Sequence, residues 1–220
     1  MYLHRSINAT QFARLVGGAG VPPQPAGPQD LAERLGAWLN AFDAVKLHAT
    51  CQACHSARAF KPAPLVADAA HRFTRLNETV QRVHQGLVAA IKADRWPQET
   101  GDEADAALLR KHALELQRLM EAKLTAVRPQ VWQAMAGASP RLRQLVELDA
   151  AMAQVVEVQA QKSLAHLPAL IEKQLKTSAP AQRLEPQLFW QQVLLAELDL
   201  RMQPIWGLME AFNNEVNKSQ

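Results

Sequence analysis

Apolar side chains recur at alternating steps of three and four residues along most of this chain, and that period leaves few folds open. The last stretch shows it most plainly, as Leu195, Leu198, Met202, Ile205, Met209, Phe212 and Val216 follow one another without a miss. Steps of this kind put every one of them on a single face of an α-helix. Similar stripes run through Leu31, Leu35, Trp38, Phe42, Val45 and Ala49, and through Phe73, Leu76, Val80, Val83, Leu87 and Ile91. Two more comprise Leu109, Leu116, Met120, Leu124, Val127 and Val131, and then Leu142, Leu145, Leu148, Met152 and Val155, with Leu164, Leu167 and Ile171 beyond. No run alternates with period two between hairpin turns, so strands are not expected. Composition agrees: aromatics make up only 5%, and the plentiful Ala, Leu, Gln, Glu and Arg lose little side-chain freedom in a helix.

Breakers and caps punctuate the stripes. A short apolar helix from Ile7 to Val16 ends at Gly17-Gly18, and GAGVPPQPAGPQ after it reads as a flexible or polyproline-like linker. Asp30 with Glu33 is a capping-box pattern, and Thr100 with Glu103 is another. KPAP at Lys61 to Pro64 separates two helices, the second of which is expected from Leu65 to Asp94, before Trp96-Pro97. Ser139 stands as N-cap with Pro140 at the first helical position, and Pro186 opens the last helix. Pro129 and Pro168 lie inside stripes, where a kink or break is expected.

The fold class that follows is all-α: a bundle or an elongated antiparallel coiled-coil-like arrangement of about five long helices plus the short N-terminal one. Residues 1–29 form the N-terminal helix and linker, and residues 30–220 a single helical domain. An apolar share of 48% suffices for a real core. The N-terminus lacks the apolar run of a signal peptide, since Asn8, Thr10, Gln11 and Arg14 interrupt it. No stretch approaches the ~18 apolar residues of a membrane span, so direct membrane insertion is not expected. The reading is therefore a cytoplasmic protein, and its two cysteines are not a disulfide framework.

One motif names a cofactor when taken alone. Cys51-Gln52-Ala53-Cys54-His55 is a CxxCH, the attachment pattern for c-type haem, in which two thiols add to the vinyl groups and the His ligates iron. Haem attachment is a reaction of exported proteins, however, and this CxxCH falls in the middle of a helical run. A metal alternative uses His48, Cys51, Cys54 and His55, with His48, Cys51 and His55 on one face at steps of three and four. Structural zinc draws on two separated ligand pairs, and the other histidines are scattered. Small cysteines packed in a helix are the preferred reading, with no cofactor.

Catalytic templates are missing: the chain has no GxGxxG, no GxxxxGK, no HExxH and no GxSxG. Glu197 and Asp199 near Arg201 sit amid apolar residues and read as a buried ion-pair anchor of the last helix rather than as acid–base groups. The protein is read as a non-enzyme. Lys and Arg outnumber Asp and Glu from Ser56 to Trp96 and again from Ala107 to Glu147, with an acidic connector between them. Two basic helices of this kind suit a nucleic acid or an acidic partner, through Arg72, Arg75, Arg82, Arg110, Lys111 and Arg118.

Three stretches carry a family resemblance: LAERLGAWLNAFDAVKLHA, LRQLVELDAAMAQVV with LAHLPALIEKQL, and LLAELDLRMQPIWGLMEAF. Together they resemble a proteobacterial family classed as a domain of unknown function, over most of the chain from Leu31 onward. Members of that family resemble, in genomic setting, the accessory proteins of type III Zorya anti-phage defence. Those accompany a proton channel of the MotA/TolQ/ExbB kind and a peptidoglycan anchor of the OmpA/MotB kind. The resemblance implies a cytosolic component acting downstream of a membrane motor, with other subunits of a defence complex as partners. It supplies no catalytic residue, and CxxCH is not part of its pattern. A second exposed stripe on any helix would also permit a homo-oligomer.

Overall fold

The computed structural model describes residues 41–57, 68–94, 102–164, 169 and 186–218; for residues 41–42, 53–57, 102–107, 109–110, 154–163 and 186 the description is limited to the backbone. Every element among them is helical: α1 (Ala41–Ala57), α2 (Ala69–Ala93), α3 (Asp102–Ala136), α4 (Pro140–Leu164) and α5 (Pro186–Lys218). The all-α expectation is met. The short N-terminal helix, the linker, the residues Leu31 to Trp38 and Pro168 lie outside the described residues.

Local chemistry explains the helix ends. The Leu142 N–H donates to Ser139 Oγ at 3.2 Å and the Arg143 N–H to the Ser139 carbonyl at 3.0 Å. Ser139 therefore satisfies one of the orphan donors of α4, with Pro140 pre-set for the first turn. Gly137 makes the turn from α3 to α4 tight: a Cβ there would stand 3.1 Å from Arg72 Nη1. Because Ser139 is buried, Ser139→Ala is expected to cost about 1 kcal/mol. Urea unfolding should show a lower midpoint with an unchanged slope, and an unchanged midpoint would contradict the capping role.

At Pro129, where a kink or break is expected, no break occurs. α3 runs unbroken from Asp102 to Ala136 with Pro129 inside it. An interior proline forfeits one backbone hydrogen bond and costs about 3 kcal/mol. Here Pro129 points to solvent, while Val127 and Val131 on either side are buried. Packing of that face offsets the lost bond. Pro204 sits in the same way inside α5, exposed between the buried Met202 and Ile205.

The described helices pack as two units. The first draws on the later part of α2, the earlier part of α3 and the earlier part of α5, within Arg82–Thr125 and Ser163–Gln203. The second takes α1, the earlier part of α2, the later part of α3, α4 and the later part of α5, within Pro25–Gln81, Ala126–Lys162 and Pro204–Gln220.

In the first unit the start of α5 buries one broad face, through Phe189, Trp190, Val193, Leu194, Ala196, Glu197 and Leu198. Leu87 and Ile91 of α2 and Leu116 and Met120 of α3 complete that core. In the second unit α5 keeps a single stripe, Ile205, Leu208, Met209, Phe212 and Val216. The rings of Phe73 and Phe212 meet edge to face, with centroids 5.5 Å apart and an interplanar angle of 78°.

α1 departs from its expected face. Val45 is 70% exposed and Ala49 is exposed, while Asp43, Leu47, Thr50 and Cys51 are half-buried. The inward side is set by Leu47 and Cys51, one turn apart, and the Val45–Ala49 stripe faces solvent.

Candidate functional site

Three carboxylates gather the polar chemistry of the described residues. Asp94 lies just past the end of α2, where the helix dipole disfavours a negative charge. Donors from two other helices offset this. Asp94 Oδ1 is 3.0 Å from His112 Nδ1 on α3, and Asp94 Oδ2 accepts from the Trp190 indole N–H on α5 at 2.9 Å. The last carbonyls of α2 lack partners within their own helix. Gln187 Nε2 donates to the Asp94 carbonyl at 2.8 Å and Gln191 Nε2 to the Lys92 carbonyl at 3.1 Å. The end of α2 is thus capped by side chains from the first turns of α5.

Glu197 is the second centre and is fully buried. Arg201, one turn along α5, donates to its Oε1 from Nε at 2.9 Å and from Nη2 at 2.8 Å. The other oxygen accepts from Gln117 Nε2 of α3 at 3.1 Å, and the same amide donates to the carbonyl of Leu164, at the end of α4, at 3.2 Å. The sequence reading of an ion-pair anchor holds for Glu197 and Arg201. Asp199 turns elsewhere, with Oδ1 at 3.8 Å from His84 Nε2.

In the second unit Asp149 of α4 takes a fork from Arg128 of α3, with Nε at 3.1 Å and Nη2 at 3.0 Å from its oxygens. It also accepts from the Trp132 indole at 2.8 Å. The Arg128 guanidinium lies 5.4 Å from the centre of the Trp132 ring, which adds a cation–π contact. Among the described residues no buried side-chain nitrogen or oxygen lacks a hydrogen-bond partner. What these carboxylates do chemically is tie helices together, because their lone pairs are spent on fixed protein donors.

The residues singled out in the sequence fall in different places. Arg72 is half-buried, and its Nε donates to Asp68 Oδ2 at 2.7 Å. Arg75 and Arg82 are both exposed on α2, and seven residues of separation put them on one face. Lys111 and Arg118 are exposed on α3 with the same separation. Arg110 belongs to α3, with its side chain outside the described ones.

His48 is exposed and hydrogen-bonded to Gln52, its Nε2 lying 2.9 Å from Gln52 Nε2. Cys51 is half-buried on α1; the backbones of Cys54 and His55 continue that helix, and their side chains are outside the described ones. Among the described residues no three His, Cys, Asp or Glu side chains come together as a metal site. None of the helices described is long and apolar enough to cross a membrane.

The sequence reading missed Asp94 and Asp149. Their partners lie 17 to 96 residues away along the chain, and no short-range pattern records such a pairing. The only hint was chemical: Trp and Gln on otherwise apolar helix faces have donors that burial obliges them to satisfy.

These features define an all-α protein whose helices are fastened by buried polar ties. The chain belongs to the family described as a protein of unknown function, DUF3348, whose model matches residues 3–188 and 189–214. Comparison with the curated proteins and with the solved structures finds no match.

Proposed function

We propose that this protein is a non-enzymatic helical interaction component, a cytosolic accessory subunit of a proton-channel-linked anti-phage defence system of the type III Zorya kind. The observation that carries the interaction reading is how the carboxylates are used. Asp94, Asp149 and Glu197 are occupied by guanidinium, indole, imidazole and carboxamide groups from the protein itself. Such interiors support stiff helical units that present surfaces to partners. Large apolar side chains on those surfaces fit the same reading, with Leu108 and Leu114 on α3 each 43% exposed, Leu188 on α5 46% exposed, and Val45 on α1. Apolar anchors of this kind are what protein interfaces bury. The coiled-coil-like spacing of the stripes suits docking against other helices. The defence setting rests on the resemblance of the three helical stretches.

Deletion of the gene from a complete defence locus tests the reading. Plaque counts are expected to rise to those of cells without the locus, and re-expression of the protein should restore protection. Unchanged protection after deletion would overturn the proposal.

A further inference from the structure

We draw no further inference here: the strongest candidate, the side of α1 that turns Val45 and Ala49 to solvent, is an apolar surface patch and nothing in the structure shows what covers it.

Discussion

Glu197→Ala is expected to lower the unfolding free energy by about 3–5 kcal/mol, the usual cost of removing one partner from a buried charged pair. The carboxylate is fully buried and accepts from both Arg201 and Gln117. Its removal strands the Arg201 guanidinium, which is only 15% exposed, and takes one acceptor from Gln117. A loss of that size is a large share of the roughly 5–15 kcal/mol that holds a domain folded. The double variant Glu197→Leu/Arg201→Met separates charge burial from packing, because replacing a buried pair by apolar groups is often nearly neutral. Urea unfolding of the three proteins decides the matter. A single variant that loses less than about 1 kcal/mol would show that water reaches Arg201 and that the tie is weak.

Trp190→Ala is expected to cost a comparable amount, about 3–5 kcal/mol, through the cavity left by the largest fully buried side chain among the described residues. This residue does two jobs. Its rings fill the centre of the first unit, and its indole N–H holds Asp94 at the end of α2. Trp190→Phe keeps most of the volume and deletes the donor, so it should cost less, about 1–3 kcal/mol for an acceptor left short of a partner. If Phe and Ala prove equally damaging, the hydrogen bond to Asp94 outweighs the packing, and the space-filling role assigned to the rings fails. Hydrogen exchange adds a local readout. Amides in the last turns of α2 should lose protection in Trp190→Phe before those of its middle, because the Asp94 tie acts at the helix end.

Particular residues show how much of this was legible in the chain. The stripe from Leu198 to Val216 named residues of α5 that are buried, with Leu195 before it half-buried, because one apolar period repeated over several turns leaves no other solution. Ser139-Pro140 and Pro186 marked two helix starts correctly, since capping and proline geometry act within a few residues. Glu197 with Arg201 was legible for a similar reason: the two are four apart on one helix. The break allowed for at Pro129 does not occur, because the cost of a proline is local and the burial of Val127 and Val131 is a tertiary gain. α1 departs from its expected face. Val45 and Ala49 continue an upstream stripe, yet the helix turns Leu47 and Cys51 inward.

The Asp94 and Asp149 ties were not legible at all. Asp149 reaches back to the preceding helix across 17 to 21 residues and Asp94 forward across as many as 96, and nothing near Asp94 foretells that His112, Gln187 and Trp190 converge on it. Of the basic residues chosen from charge alone, the sequence could not distinguish Arg72, which is tied to Asp68, from the exposed Arg75. Both follow the same local composition, and only the helix register relative to the core separates them.

Whether this helical body works by holding other subunits is decided by purifying the tagged protein from detergent-solubilised native cells, with and without phage, and reading its partners by mass spectrometry. The proton-channel or peptidoglycan-anchor proteins of the same locus are expected to come down with it. Those proteins should be lost when Leu108, Leu114 and Leu188 are changed to Ser. Recovery of the tagged chain alone under both conditions would show that it is not an interaction subunit of such a complex.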